Sequence, residues 1–434
     1  QKELDDKVRR VLRLFYRTTM NPNRPHGFLC SESHYVAAKQ IAEEGIVLLQ
    51  NKNNVLPINT QKAKRVLVVG ENAIKMMTVG GGSSSLKVQR EISPLEGLKV
   101  RLAKDGIEVD YARGYVGDVT GNYNGVTTGQ NLDDKRSEAE LIAEAVEKAK
   151  TADYVIMFGG LNKSDFQDCE GHDRKQYELP YNQDKLIEAL AKANRNFVYV
   201  NISGNAVAMP WKAKVAGIVQ GWYIGSESGE ALASILTGDA NPCGKLPFTW
   251  VNSLNEVGAH ALNTYPGTWR KEGGTNTKGN IIDEEYKEGI YVGYRWTDKE
   301  RIKPTFAFGH GLSYTQFEIS NLRSDKPQIT QDDSITFTVN VKNTGKRAGS
   351  EVVQLYIHDV KSSVDRPEKE LKGFQKVYLQ PGENRDVSIT VNKEALSFYD
   401  EASSSWKAEA GKFEALVGNT SDNLKLKKVF ELKK

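Results

Sequence analysis

The sequence predicts an α/β domain with a mostly parallel sheet, followed by an all-β domain. Between residues 65 and about 255, short uninterrupted apolar segments alternate with amphipathic segments, a pattern typical of parallel strands covered by helices on both faces. From 333 to 434 the residues show strand patterns without helical periodicity. The 434 residues suffice for two to four domains that each bury a core.

Composition excludes several classes of protein. Lys and Arg number 59 against 56 Asp and Glu, a net charge of +3, which gives no basis for a nucleic-acid or membrane-surface partner. No run of 18 apolar residues occurs, so a transmembrane helix is not expected. Cys30, Cys169 and Cys243 lie far apart, which fits neither a zinc ribbon nor the disulfide framework of a small secreted protein.

The first 50 residues predict two helices and a strand. Apolar residues repeat at helical spacing over 4–20, and the Asn-Pro-rich segment 21–25 ends that helix. A second helix begins at Ser31 and leads into the apolar run 46–49, which we interpret as a buried strand. The chain starts without an initiator Met or a signal peptide, so we expect a processed or truncated chain.

The α/β alternation follows. Apolar segments predict the strands, and segments with helical periodicity predict the helices between them. The predicted strands are 66–69, 154–158, 197–200 and 217–220, and the predicted helices are 137–150, 181–194 and 227–237.

Beyond residue 255 the alternation stops. Residues 256–312 are rich in Gly, Pro and aromatic residues and are interpreted as a long structured connection. Turn residues at 343–345 and 381–382 separate the strand patterns that follow. These patterns, at 334–339, 352–357, 387–391 and 413–417, predict an antiparallel sandwich of immunoglobulin or fibronectin type.

A loop of three glycines and three serines, Gly80 to Ser85, follows the 66–69 strand by ten residues. A phosphate cradle would need the glycines directly after the strand, or a Lys before the Ser, and neither is present. The remaining interpretations are a plain flexible loop and a loop that contacts a neutral polar ligand.

The segment 165–174 carries four carboxylates, a His and an Arg directly beyond the 154–158 strand. Residues at the carboxyl ends of parallel strands form the ligand edge of a sheet. The structural alternative is a solvated acidic loop in which Asp173 and Arg174 form a local ion pair. A nucleophile built from Cys169 and His172 lacks an oxyanion-hole signature, and a metal site would need further ligands that the sequence does not place.

Together these segments resemble the family 3 glycoside hydrolases of the β-glucosidase type. The resemblance spans residues 1–434 in the order that the family shows. Its motifs are 38–51 (AKQIAEEGIVLLQN), 80–83 (GGGS), 170–174 (EGHDR), 241–247 (NPCGKLP), 286–295 (YKEGIYVGYR), 308–315 (FGHGLSYT), 343–345 (NTG), 371–374 (LKGF) and 381–383 (PGE).

The resemblance implies four regions. Residues 1–30 resemble the last helix of a TIM-like barrel with its linker, and 31–255 the α/β sandwich. A structured connection, 256–315, leads to a fibronectin type III-like domain, 316–434, for which we expect a structural role. Nearly all of the barrel, which carries the nucleophilic Asp in this family, is then absent from this chain.

The implied activity is that of a retaining exo-acting β-glycosidase, a β-glucosidase first and a β-xylosidase or related exo-enzyme second. The motif places the general acid/base at Glu170, with Asp165, Asp168 and Asp173 as fallback candidates. Substrate contacts in the +1 subsite are expected from Gly81, Gly82, Ser83 and Ser84. A non-catalytic carbohydrate-binding or scaffold protein is the alternative from another class.

The implied partners are a β-linked oligosaccharide or glucoside and the barrel domain of the same enzyme. We expect no organic cofactor, no metal, no nucleic acid and no membrane. We also expect a periplasmic or secreted location, and a homodimer is compatible with the sequence.

Overall fold

The computed structural model describes residues 1–117, 122–123, 126–269 and 282–434. Its first part is an α/β unit preceded by one helix that contacts little else. The helices are α1 (Lys2–Arg17), α2 (Glu32–Gly45), α3 (Pro94–Ala103), α4 (Glu138–Ala149), α5 (Gln183–Ala193) and α6 (Ser228–Thr237). The strands are β1 (Val47–Asn51), β2 (Arg65–Val69), β3 (Glu108–Ala112), β4 (Asn122–Tyr123), β5 (Val126–Thr127), β6 (Tyr154–Gly160), β7 (Phe197–Ile202) and β8 (Gly217–Gln220).

Six of these strands form the central sheet, in the order β1-β8-β7-β6-β2-β3. All neighbours are parallel except β1, which runs antiparallel to β8 at one edge. Alternate residues of β6 enter different cores: Val155 and Met157 pack towards α4 and α5, and Ile156 and Phe158 towards α3 and α6. Because both faces are buried, the central strands are continuously apolar, which confirms the predicted α/β sandwich.

Helix α3 and strand β3 were not predicted from the sequence. Helix α3 carries Gly97, where a Cβ atom would lie 2.1 Å from the carbonyl oxygen of Gly229, so α3 and α6 approach each other closely at this point. Strand β3 is an edge strand with mostly half-buried side chains. A glycine within a helix and an edge strand without an apolar run both weaken the periodic signal.

The connection that follows contains α7 (Gly258–Ala261), β9 (Thr268–Trp269), β10 (Ile282–Asp283) and α8 (Tyr294–Lys299). Residues 270–281 of this predicted region lie outside the described residues. Within the described ranges, no helix combines the length and apolarity needed to cross a membrane.

Two sheets form the C-terminal domain. A three-stranded sheet has the order β11-β13-β16, and a five-stranded sheet the order β12-β20-β19-β14-β15. Its elements are β11 (Phe317–Ser324), β12 (Gln328–Ile329), β13 (Ser334–Asn343), β14 (Gly349–Asp359), β15 (Glu370–Leu379), β16 (Asn384–Asn392), α9 (Lys393–Leu396), β17 (Phe398–Asp400), β18 (Ser405–Lys407), β19 (Gly411–Gly418) and β20 (Leu426–Leu432). The predicted all-β sandwich is confirmed, although the edge strands β11 and β15 were missed because few of their side chains are fully buried.

The aromatic residues of this domain divide into two groups. Tyr356 packs against the 286–315 connection, with its ring 5.7 Å from that of Tyr294 in an edge-to-face contact. Four other aromatic side chains are more than half exposed: Phe374, Tyr378, Tyr399 and Trp406.

Candidate functional site

Polar loops meet at the carboxyl edge of the central sheet. They follow β2, β6, β7 and β8, and between them lies a cavity of about 570 Å³. This is the edge at which parallel sheets bind ligands, because the chain ends of neighbouring strands converge there. The cavity is lined from all four loops, by residues that include Thr78, Ser84, Lys163, Asp168, Cys169, His172, Arg174, Asn205, Trp222 and Tyr223.

Glu170 lies beside this cavity, next to Cys169 in its lining. The backbone N–H of Ser83 donates to Glu170 Oε2 at 2.6 Å, and the backbone N–H of Glu170 donates to the carbonyl of Gly81 at 3.0 Å. The hydrogen bonds from Ser83 hold the pKa of the Glu170 carboxyl below its ordinary value, because they stabilise the ionised form. The structure thus brings together Glu170, Gly81, Gly82 and Ser83, and it places Ser84 in the cavity wall.

Asp168, one of the fallback candidates, is anchored. Its carboxylate accepts hydrogen bonds from the backbone N–H of Gly204 at 2.7 Å, from Asn205 Nδ2 at 3.2 Å and from Tyr223 Oη at 3.0 Å. Burial and the nearby Asp168 raise the pKa of Tyr223 well above its ordinary value, so Tyr223 remains a donor. A carboxylate with three donors ties the loop after β6 to the loops after β7 and β8.

The other two fallback carboxylates also have partners. Tyr265 Oη donates to Asp173, and Asp165 lies 3.5 Å from Nδ1 of His172. The local ion pair between Asp173 and Arg174, the structural alternative considered for this loop, is not formed among the described residues. Arg174 instead donates to the carbonyl of Ala206 at 2.6 Å.

The loop also brings together possible metal ligands. Asp165, Cys169 and His172 place one ligand atom each within 4.8 Å of one another on a partly exposed surface. The thiol of Cys169 donates to the backbone carbonyl of His172 at 3.4 Å, and the ring of His172 stacks on Phe166. The thiol and the imidazole are therefore not paired as a nucleophile and its base.

Two basic residues of the site were not assigned a role from the sequence. Lys163 is half-buried beneath the loop of Gly81 and donates to the carbonyl of Met77 at 3.1 Å, and burial lowers its pKa. Nη1 of Arg174 is buried without a hydrogen-bond partner among the described residues. Their position directly after the carboxyl end of β6 was the available signal, as it was for Asn205 after β7 and Tyr223 after β8.

The arrangement suits proton transfer to a bound ligand. An exposed carboxyl stands at the margin of a cavity whose lining combines hydroxyl, amide and aromatic groups with charged and apolar side chains. A carboxyl within hydrogen-bonding reach of a ligand oxygen can donate or accept a proton there. Asp168, a second carboxylate in the cavity lining, is instead bound by three donors.

Comparisons with known proteins agree with this architecture. Residues 46–294 match the family model of the glycosyl hydrolase family 3 C-terminal domain, and residues 351–421 match that of a fibronectin type III-like domain. The chain is 48% identical to β-glucosidase BoGH3A of Bacteroides ovatus, over 99% of this chain and 56% of that protein. It is 37% identical to the thermostable β-glucosidase B of Acetivibrio thermocellus, over 98% of this chain and 52% of that protein.

Solved structures show the same fold. The GH3 β-glucosidase of Bifidobacterium adolescentis superposes with a TM-score of 0.82 at 31% identity, covering 97% of this chain and 56% of that one. The β-glucosidase of Kluyveromyces marxianus in complex with glucose gives a TM-score of 0.83 at 28% identity, covering 100% of this chain and 67% of that one. This chain thus spans about half the length of the curated relatives that it matches.

Proposed function

The chain belongs to glycoside hydrolase family 3, and from this premise we propose that it is the acid/base-bearing part of a retaining, exo-acting β-glucosidase. Its substrates are terminal, non-reducing β-D-glucosyl residues. The relatives named β-glucosidase support this assignment, and so does the position of Glu170 at the ligand edge of the sheet. The nucleophilic Asp belongs to the barrel that the complete enzyme carries.

The observation that carries the proposal is the contrast between Glu170 and its neighbours. Asp168 is half-buried and held from two other loops, and Asp173 accepts from Tyr265. Glu170 is exposed and held only by backbone and hydroxyl groups of Ser83, in the loop to which the +1 subsite is assigned. A retaining enzyme needs a carboxyl that first protonates the leaving oxygen and then activates water. An exposed carboxyl held by such neutral groups suits both steps.

The acid step requires a protonated carboxyl. In this chain, the Ser83 hydrogen bonds lower the pKa of Glu170. A barrel closing over the loop removes water from Glu170 and brings a second carboxylate to about 5–5.5 Å. Desolvation and like charge both raise the pKa of a carboxyl. Closure therefore shifts Glu170 towards the protonated form that the first step uses.

An uncovered apolar surface supports a barrel partner. Seven apolar or aromatic side chains of α1 are between 45% and 63% exposed, and Phe28 and Leu29 in the following segment are 82% and 93% exposed. A helix with exposed apolar residues needs a further element to cover them. We assign that element to the barrel of the same enzyme. The residues of α1 are Leu4, Val8, Val11, Leu12, Leu14, Phe15 and Tyr16.

The sugar-reading contacts divide between the two parts. The +1 subsite is assigned to Gly81, Gly82, Ser83 and Ser84, whose neutral backbone and hydroxyl groups suit a sugar. The contacts that distinguish a glucosyl from a xylosyl residue belong to the barrel, so a β-xylosidase is the second candidate. We retain the periplasmic or secreted location as part of the proposal.

The test is a leaving-group series on the complete enzyme. Glu170→Gln slows hydrolysis of a β-glucoside with a poor leaving group by roughly 10²–10⁴-fold, because the leaving oxygen then lacks its proton. An activated aryl glucoside is affected far less in the first step. Asp165→Asn is the matched control, since its side chain is exposed on the same loop. An unchanged rate on cellobiose for Glu170→Gln would move the role to another carboxylate.

A second experiment addresses the division between chain and barrel. The isolated 434-residue chain does not hydrolyse aryl β-glucosides, and a barrel fragment added in trans restores turnover. Turnover by the chain alone at the rate of a complete enzyme would refute the division. Sugar binding without turnover by the complete protein would favour a carbohydrate-binding protein over an enzyme.

A further inference from the structure

The loop of three glycines and three serines is bound directly to the segment that carries Glu170. Ser83 donates its N–H to the carboxylate at 2.6 Å, and the Glu170 backbone donates to Gly81 at 3.0 Å. Residues 80–85 contain no ionisable side chain. The loop therefore hydrogen-bonds the Glu170 carboxylate through neutral groups only.

A tight turn presents the Ser83 N–H. The Ser85 N–H donates to the carbonyl of Gly82 at 2.9 Å, which closes a four-residue turn with Ser83 in its second position. The backbone N–H of Gly80 donates to Ser85 Oγ at 3.1 Å and fixes the start of the loop.

Gly82 is required at this turn for two separate reasons. Its φ of +101° lies in a region that side chains with a Cβ rarely adopt. A Cβ built there would also lie 2.4 Å from Cβ of Glu170 and 2.6 Å from its Oε2. The close packing of Glu170 on the backbone of Gly82 thus depends on the missing side chain.

We propose that the turn 82–85 is a positioning element for the acid/base carboxylate: the Ser83 N–H and the bare backbone of Gly82 fix where the Glu170 side chain lies. This inference rests on the proposed function and assigns the loop a task beyond contact with the +1 sugar. Glu170 must leave the Ser83 N–H, or be protonated against it, before it can act as the acid.

The charged groups around the contact between Glu170 and the turn 82–85 belong to the facing segment 163–174. Lys163 passes beneath Gly81, where a Cβ would lie 2.6 Å from its Cε. Asp168 is anchored to other loops, and Arg174 donates to Ala206. The remaining titratable groups of the segment are Asp165, Cys169, His172 and Asp173. The backbone donor at Ser83 can be removed without altering any of these charges.

Gly82→Ala in the complete enzyme tests by steric hindrance whether the turn 82–85 positions Glu170. Gly80→Ala is the matched control. The two glycines have nearly equal φ, +101° and +102°, but a Cβ at Gly80 meets nothing closer than 3.7 Å. We expect Gly82→Ala to lose about 10²-fold more kcat/KM than Gly80→Ala on a poor leaving group, since misplacement of a catalytic group by about 1 Å costs this much. Equal losses in the two variants would overturn the proposal.

Ser83→Pro tests the hydrogen bond by pH. Pro favours the second position of such a turn and has no N–H to donate, whereas Ser83→Ala keeps the N–H. Without this donor the pKa of Glu170 rises, so the alkaline limb of kcat/KM, where the acid loses its proton, moves to higher pH for Ser83→Pro. Ser83→Ala gives a smaller shift. Thermal unfolding of each variant confirms that it is folded.

The outcomes separate the two proposals. Suppose that Glu170→Gln shows its leaving-group dependence but the alkaline limb of kcat/KM does not move in Ser83→Pro. The positioning role of the turn 82–85 is then refuted, and the proposed acid/base function of Glu170 stands. If Glu170→Gln has no effect, the acid/base assignment falls and the positioning role falls with it.

Discussion

Two regions of the molecule carry family motifs, and their polar groups differ in burial and in hydrogen bonding. At the junction between the α/β unit and the C-terminal domain, Asn343 is fully buried, and its side chain uses its full hydrogen-bonding capacity. Its oxygen accepts from Thr315 Oγ1 at 2.7 Å and from the Gly345 N–H at 3.0 Å. Its amide group donates to the carbonyls of Arg347 and Leu379. At the sheet edge, Glu170 is exposed and Arg174 has a buried nitrogen without a partner among the described residues.

The difference separates structural motifs from chemical ones. A buried polar group that is fully hydrogen-bonded stabilises one arrangement of the backbone and has nothing left for a ligand. A site that must bind and release a substrate keeps donors and acceptors available. Both kinds of residue occur in the motifs that resemble the family, and burial together with hydrogen bonding tells them apart.

The largest effect on stability is expected at the junction. Asn343→Ala removes four hydrogen bonds in a buried place and leaves their partners unsatisfied, which costs about 3 kcal/mol of unfolding free energy. Asn340→Ala is the matched control, since Asn340 lies on the same strand with a partly exposed side chain. Chemical denaturation of both variants and of Glu170→Gln measures the contrast. Equal stability of Asn343→Ala and Asn340→Ala would contradict it.

An effect of intermediate size on stability and activity is expected at Asp168, which accepts three hydrogen bonds and also lies in the candidate site. Asp168→Asn keeps the shape but turns one acceptor into a donor that faces the Gly204 N–H or a hydroxyl. We expect a loss of about 1–2 kcal/mol of unfolding free energy and about a tenfold loss of activity, because the Glu170 loop shifts. Denaturation and steady-state kinetics check the two numbers. A loss in neither would mean that Asp168 does not anchor the loop.

The smallest effect is a pH dependence at the junction. His310 is half-buried, its Nε2 lies 2.9 Å from the carbonyl oxygen of Leu49, and burial lowers its pKa below the ordinary 6.5. The unfolded chain then binds a proton more readily than the folded one. The stabilisation from neutral His310 is therefore complete above pH 6.5 and decreases as the pH falls below it.

Unfolding free energies of the native chain and of His310→Gln, measured between pH 7.5 and about 5, isolate this effect. The advantage of the native chain should shrink as the pH falls. A pH-independent difference between the two proteins would contradict a neutral, half-buried His310.

Much of this architecture was predictable, because the spacing of apolar residues along the sequence reflects which side chains are buried. Strands β6, β7 and β8 were found from continuous apolar runs, since both faces of the sheet are covered. Edge strands such as β3 and β15 lack that signal. The position of segment 165–174 followed from its place after a parallel strand.

The contacts within the site could not be predicted in the same way. Ser83 and Glu170 are 87 residues apart, and nothing in their local sequences pairs them. Their contact depends on β2 and β6 being neighbours in the sheet, which is a property of strand order. The anchoring of Asp168 likewise depends on loops that follow β7 and β8. The role of Glu170 itself came from the family resemblance and stays a prediction.

The most direct test of the central claim, that Glu170 is the acid/base of a retaining enzyme, is azide rescue of Glu170→Ala in the complete protein. With an activated aryl β-glucoside, the first step proceeds and the glucosyl-enzyme accumulates, because no base activates water. Azide needs no base, so we expect faster turnover and a β-glucosyl azide, identified by the anomeric proton in NMR. No acceleration by azide, or an α-glucosyl azide as the product, would contradict the claim.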